Sequence, residues 1–406
     1  MLSLGGWQCR PNIFRAVRRL HNILGIETSC DDTGVAVLDT QGRLLGESLF
    51  SQQEIHTEFG GIMPPVARDL HKKNIDSAVS KALTIANLEM SQVDAIAVTV
   101  KPGLSLSLLV GLECAKKLSS TYKKPLIPIH HMEAHALTIR MVEKVDFPFL
   151  VVLISGGHSL IAVAQDIEKF LLLGKSYDDA PGEALDKIAR RLKLFNLNKY
   201  QGLSGGRAVE LAALNGNMLA FPISEPLLHR KNCNFSFAGI KNSVRSYIIE
   251  EENKHDIKGD EILPNVEDIC ASVQFAVTKH ILRRVHRSIV FCKEQKLINS
   301  ENKVVVSGGV ACNSFIGKAI RFISEKNNLS CCIPPPKLCS DNGVMIAWNG
   351  VERWKAQKGI INYTDLDKVD IQAKCSLGVD VTEEVEKTHL NFTWVKFKDL
   401  VEHMKV

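Results

Sequence analysis

The chain has 406 residues, 45% hydrophobic and 23% charged, with a formal net charge of +5. That length holds about two domains, the composition is that of an ordinary globular protein, and no apolar run approaches the roughly 18 residues of a membrane helix, so no membrane association is expected. The positive charge is uneven: residues 1–26 carry Arg10, Arg15, Arg18 and Arg19 and no acid, leaving 46 basic against 45 acidic residues in the remainder. A nearly neutral body excludes nucleic-acid binding by bulk charge and requires local basic patches instead.

Ile13, Phe14, Val17 and Leu20 are spaced among those arginines. An Arg-rich, acid-free amphipathic start reads as a mitochondrial import leader, placed over residues 1–22, with the matrix as destination. The 11 cysteines include no Cys-x-x-Cys pair, so they are expected as reduced core thiols, with Cys331–Cys332 packed in a strand.

Gly25–Ser48 (GIETSCDDTGVAVLDTQGRLLGES) predicts a three-stranded meander, and Leu153–Ser176 (LISGGHSLIAVAQDIEKFLLLGKS) repeats its length and rhythm. Gly46 and Gly174, and Ser48 and Ser176, coincide at an offset of 128. After the first meander, AIAVTVKPG leads into a helix; KVVVSGGVACN does the same later at an offset of 206, pairing Gly103 with Gly309, Gly111 with Gly317 and Pro128 with Pro334. The same offset pairs His135 with Asp341. The change of offset places 78 additional residues inside 177–302, where GEALDKIARRLKL and VEDICASVQFAVTKHILRRVHRSIVFCKEQ carry helical periodicity.

Each half therefore reads as three strands followed by alternating helix and strand. Two such βββαβα-type halves facing each other make a two-lobed α/β fold of the actin-like kind shared by sugar kinases and chaperone ATPases. The expected lobes are 23–150 and 151–360, the second holding the insertion, with a C-terminal extension over 361–406.

Three glycine-bearing turns each follow an apolar strand: Ser29–Gly34, Ser155–His158 and Ser307–Asn313. Such turns let backbone N–H groups approach a phosphate, and a following helix N-terminus adds its dipole. His158 either touches that phosphate or is a turn residue. His131-Met132-Glu133-Ala134-His135 puts two histidines on one helix face. Met132 stands where a zincin has its glutamate, so a zincin-type protease is not expected. If the repeat brings His135 and Asp341 to facing corners, two histidines and a carboxylate suit one divalent Zn, Fe or Mn ion with open positions. Asp341 is also a candidate cap for a helix beginning at Gly343. Basic residues at Arg190-Arg191, at His229-Arg230-Lys231 and at Lys279, Arg283, Arg284 and Arg287 are candidate phosphate contacts, the last group on one helix face.

GIETSCDDTGVAV, HHMEAHAL, LISGGHS, FSFAGIKNSV, VVVSGGVACN and SDNGVMIAW, in this order from about Leu24 to about Trp354, resemble the tRNA adenosine N6-threonylcarbamoyl transferases, formerly called O-sialoglycoprotein endopeptidases. Leader and single-chain layout are most similar to the mitochondrial member. Ala238 departs from the family pattern, standing where Ser or Thr is expected. The resemblance implies transfer of a threonylcarbamoyl group from threonylcarbamoyl-AMP, supplied by a separate synthase. The acceptor would be N6 of the adenosine 3′ of the anticodon in mitochondrial tRNAs reading codons that start with A, with release of AMP. It implies His131, His135 and Asp341 as metal ligands. Leu153, Ile154, Ser155, Gly156, Gly157, Asp186, Gly206, Glu210 and Asn313 would line the adenylate site. The proton acceptor is open among Asp31, Asp32 and Glu27, and a homodimer is left open. Against an ATP phosphotransferase or ATPase chaperone of the same fold stands the His-x-x-x-His pair, for which such a protein has no need.

Overall fold

The computed structural model describes residues 20–59, 61–390, 393–394 and 397–404; the expected leader lies outside them up to residue 19. Strands β1 (Asn22–Glu27), β2 (Asp32–Asp39) and β3 (Leu44–Ser51) form the first meander. Helices α1 (Gln53–Glu58) and α2 (Pro64–Ala86) follow, then β4 (Ala95–Lys101), α3 (Ser105–Tyr122), β5 (Leu126–His130), α4 (His131–Leu137) and α5 (Ile139–Val142). The second half begins with β6 (Phe149–Ile154), β7 (Ser159–Asp166) and β8 (Lys169–Lys175). Helices α6 (Pro181–Arg191), α7 (Gly205–Ala213), α8 (Ala238–Lys254) and α9 (Val266–Glu294) fill the insertion. Then come β9 (Lys303–Ser307), α10 (Ser314–Lys326), β10 (Ser330–Cys332) and α11 (Gly343–Ala356), and finally β11 (Val379–Asp380), α12 (Thr382–Lys387) and α13 (Phe397–Met404).

The repeat read from the sequence is real in three dimensions. The first sheet runs β3-β2-β1-β4-β5 and the second β10-β9-β6-β7-β8-β11. In each the meander is antiparallel and the following strands join parallel to its first member. The coincident glycines have a shared cause. A Cβ on Gly46 would lie 2.2 Å from the Ala82 carbonyl oxygen, and one on Gly174 2.0 Å from that of Cys233. Both third strands are crossed by another segment at a distance only glycine permits.

The central strands are buried on both faces, which is why they read as continuous apolar runs rather than alternating ones. One face of the first sheet packs through Leu24, Ile26, Ile96 and Val98 on Ile75, Val79 and Leu83 of α2 and Val110 and Leu112 of α3. Its other face, Ile23, Ala36, Ala97 and Ile129, is covered by Val344, Met345, Ala347 and Val351 of α11. In the second sheet, Leu150, Val152 and Val163 face α6 through α10. Val151, Leu153 and Ala162 face Met132, Ala136 and Leu137 of α4 and Ile139 of α5. The halves thus exchange covering helices: α4 and α5 leave the first sheet for the second, and α11 crosses back. Trp348 Nε1 donates to the Leu137 carbonyl at 3.0 Å and Arg353 pairs with Glu133 at 2.6 Å, locking the exchanged helices together.

The insertion corrects the expected basic track. Arg284 is fully buried in α9 and donates to the carbonyls of Leu227, Arg230 and Asn232. Arg287, also buried, donates to those of Val385 and Thr388. Arg283 pairs bidentately with Glu225 at 2.5 and 3.0 Å. The shared spacing is that of an inward face: guanidinium groups here serve carbonyls left without strand or helix partners.

Candidate metal and nucleotide site

Strand β5 ends at His130, whose Nδ1 accepts from the Met132 amide at 3.2 Å and so caps α4. All seven residues of α4 are buried, and His131 and His135 lie one turn apart on it. Asp341 stands in the loop just before α11, the other exchanged helix. Asn342 is the cap, accepting from the Met345 amide at 2.8 Å, so the Asp341 carboxylate is not spent on capping. Asp341 Oδ1 lies 3.0 Å from His135 Nε2 and 3.4 Å from His131 Nε2, and the two imidazoles meet edge to face with centroids 4.6 Å apart. Candidate ligand atoms of the three residues fall within 4.8 Å of one another.

Behind this triad sits Glu27, fully buried at the end of β1. Its carboxylate accepts from the Ser29 amide at 2.6 Å, the Thr99 hydroxyl at 2.5 Å and His131 Nδ1 at 3.2 Å. Burial alone would raise the Glu27 carboxyl, but the facing His131 outweighs it and lowers it. Asp341 is lowered well below the usual carboxylate range in the same way, and burial of His131 is overcome by its two carboxylates, which push it up to about 10. A cation between two anions is the favoured charge state at this point of the protein.

The turn after β1 adds two carboxylates. Asp32 is pushed up to about 7, chiefly by burial and further by Asp31, Asp341 and Glu27, against a lowering hydrogen bond from Ser51. Buried His71 on α2 props the turn, with Nδ1 at 2.8 Å from Thr33 Oγ1 and Nε2 donating to the Cys30 carbonyl at 3.0 Å.

Of the residues attributed to adenylate binding, five lie at the end of β6. Leu153 and Ile154 close that strand, and Ser155, Gly156 and Gly157 form a turn whose two glycines face open space. Helix α6 starts against it: Gly182 and Glu183 amides donate to the Ser155 and Gly156 carbonyls, each at 3.2 Å. Asp186 on α6 accepts from the Gly206 amide at 3.0 Å. Glu210 on α7 accepts from the Ser314 amide and hydroxyl, both at 2.8 Å. Asn313 caps α10 by accepting from the Ile316 amide at 3.1 Å and donates to Gln274 of α9 at 2.9 Å. The three helix starts are thereby chained: α6 to the turn, α7 to α6 and α10 to α7. His158, at the end of that turn, has its ring centroid 6.4 Å from that of His131, so the two groups of residues adjoin.

The sequence offers Glu27 only as one of three candidate proton acceptors. Its orienting contact with His131, 104 residues away, has no signal in spacing, and neither do Ser29, Thr99 or Gln274.

Comparison with known proteins agrees with this geometry. Residues 43–348 match the family of tRNA N6-adenosine threonylcarbamoyltransferases. A mouse protein named tRNA N6-adenosine threonylcarbamoyltransferase, mitochondrial, is 48% identical over 92% of this chain and 90% of its own length. The human protein of that name is 48% identical over 93% and 92%, and a tRNA N6-adenosine threonylcarbamoyltransferase of Anaplasma marginale is 42% identical over 86% and 96%. Among solved structures, component A of the Acidaminococcus fermentans (R)-2-hydroxyglutaryl-CoA dehydratase aligns over 86% of this chain and 98% of its own, with a TM-score of 0.46 and 13% identity. With a family match across most of its length and close relatives matched nearly end to end, the chain belongs to the tRNA N6-adenosine threonylcarbamoyltransferases, enzymes that modify tRNA.

Proposed function

We propose that the protein transfers the threonylcarbamoyl group of threonylcarbamoyl-AMP to N6 of the adenosine 3′ of the anticodon in mitochondrial tRNAs reading codons that start with A, releasing AMP. The observation that carries this reading is the meeting of His131 and His135 on α4 with Asp341, just before α11, beside a glycine turn open for a phosphate. The donor set fits a divalent ion: two imidazole Nε2 atoms and a carboxylate, with the Nδ1 of one imidazole held by a buried carboxylate. When bound there, Zn, Fe or Mn would act as a Lewis acid toward the transferred carbonyl and as a template for it.

The chain's own residues do the rest. Glu27 keeps the His131 proton on Nδ1 and so leaves Nε2 for the ion. Backbone N–H groups of Gly156 and Gly157, in the turn closed by the Ser155 amide on the His158 carbonyl, receive the phosphate of the leaving AMP. Asp186, Gly206, Glu210 and Asn313 fix the helix starts that shape the nucleotide's seat. An exocyclic adenine amine must lose a proton as it attacks. Glu27 has its carboxylate occupied by three donors, which leaves Asp31 and Asp32 on the neighbouring turn to accept it.

A separate synthase would supply the activated threonylcarbamate. The mitochondrial names of the relatives and the acid-free, Arg-rich first 26 residues support import, with 1–22 as leader and the matrix as destination. The test is to mix purified protein with labelled threonylcarbamoyl-AMP and unmodified mitochondrial tRNA. Modified nucleoside and AMP appearing in equal amounts is the expected result; AMP release without label in tRNA would overturn the proposal.

A further inference from the structure

One basic cluster of the insertion does face water. His229, Arg230 and Lys231 are all exposed, in the segment between α7 and α8. Arg230 stands 3.8 Å from Glu386, and neither His229 nor Lys231 has a carboxylate partner among the described residues. The backbone beneath them is fixed. Buried Arg284 donates to the carbonyls of Leu227, Arg230 and Asn232, on both sides of the cluster. Exposed side chains on a backbone tied to the core bind without the ordering cost of a free loop.

The same segment clamps an aromatic ring. Asn232 and Asn234 are buried, and their side-chain amides donate to the Tyr177 hydroxyl at 3.4 and 2.6 Å. The Tyr177 backbone amide donates to the Phe235 carbonyl at 3.0 Å. Tyr177 is nevertheless 57% exposed, and with its hydroxyl tethered the open part is the ring. A single exposed aromatic is ordinary; one held by two buried amides is a preorganised surface. It also borders the nucleotide turn. The Ser176 amide donates to the carbonyl of Ser159, the residue after His158, and α6, starting at Pro181, is bonded through Gly182 to the Ser155 carbonyl. Tyr177 lies in the short segment between those two attachments.

We propose that Tyr177 is a stacking platform for an unpaired base neighbouring the acceptor adenosine, and that Arg230 and Lys231 hold the phosphates beside that base. Bases in an RNA loop can be splayed onto aromatic rings, while adjacent cations take the backbone. Every base has a π face, so such a platform positions the loop without reading its sequence. The inference rests on the functional reading above, which supplies the RNA loop.

The experiment measures binding of the full chain, over a range of salt, to two RNAs of equal length and charge: an anticodon stem-loop and a duplex with no unpaired base. Steady-state transfer gives KM for tRNA and for threonylcarbamoyl-AMP separately. Tyr177→Ala should weaken stem-loop binding by about 5- to 150-fold, leave duplex binding at the parent level, and raise KM for tRNA alone. Tyr177→Phe keeps the ring and should recover most of the loss, which separates lost stacking from local misfolding. Arg230→Ala combined with Lys231→Ala should flatten the salt dependence of stem-loop binding by about 0.7 in slope per charge removed. Parent-level stem-loop binding by Tyr177→Ala overturns the platform, and so does an equal loss on the duplex. An unchanged salt slope in the double variant overturns the phosphate contacts. A parent protein that modifies tRNA while Tyr177→Ala matches it fails the platform alone; a parent that neither binds nor modifies tRNA fails the functional reading with it.

Discussion

Replacing Glu27 with Gln removes one charge and adds two N–H donors at a position with no exposure. The native carboxylate accepts from the Ser29 amide, the Thr99 hydroxyl and His131 Nδ1. In the variant the amide oxygen stays on the Ser29 amide, which can only donate, and the NH2 group faces Thr99 and His131. The Thr99 hydroxyl rotates and accepts. His131 cannot adapt so cheaply. To accept at Nδ1 it must carry its proton on Nε2, the atom that faces Asp341 and the proposed ion. The Ser29 hydroxyl, 3.1 Å from the same Nδ1, is a weaker acceptor than the lost carboxylate, so the substitution shifts the tautomer toward protonation of the ligating nitrogen. Loss of such an orienting partner typically costs 10- to 100-fold in metal affinity, or about 1.4–2.8 kcal/mol. The fold should hold, because no donor is left unpaired and a buried charge is removed. Chelator competition with Zn and Mn, alongside a melting curve and single-turnover transfer, checks this. The expected result is weaker metal binding and slower transfer at nearly unchanged melting temperature. Glu27→Gln binding both ions within about twofold of the parent, against the 10-fold minimum expected, would refute the orienting role.

Asp341→Ala should lower transfer by about 100-fold or more with little change in melting temperature. It removes the α11-side ligand while Asn342 still caps that helix; full metal content and a normal rate would sink the bridging site. Metal binding at neutral pH should release about one proton per ion, because His131 is held protonated up to about 10 by Asp341 and Glu27 and must give up a proton to ligate. Apparent affinity should then rise about tenfold per pH unit between pH 6 and 8; binding without proton uptake or release in weakly buffered solution would contradict it. Arg284→Met should destabilise the protein by about 1–3 kcal/mol, since it strands the buried Asn232 carbonyl and removes the bridge to those of Leu227 and Arg230. A melting temperature at the parent value would show that those carbonyls find other donors.

Much of the architecture was legible from residues alone, for a stated reason. The duplicated meander and strand–helix–strand blocks carry a period in apolar residues and two fixed offsets, and both survive folding as one shared order of five strands, to which the second sheet adds β11 at its edge. Glycines such as Gly46 and Gly174 coincide because both third strands are crossed at the same close distance. The pairing of His135 with Asp341 came from the offset of 206, and the atoms lie 3.0 Å apart. Tertiary structure alone decided the rest. Periodicity reports which face of a helix is apolar but not which sheet receives it, so the exchange of α4 and α11 between the halves was invisible, and with it the reason the triad closes. Basic residues at helical spacing are equally blind to direction. Arg284 and Arg287 read as a solvent-facing stripe and instead point inward, where carbonyls of irregular segments supply what water would have. Glu27 shows the same limit at its sharpest: a carboxylate's role depends on which donors surround it, and those come from Ser29, Thr99 and His131, which only the folded chain brings together.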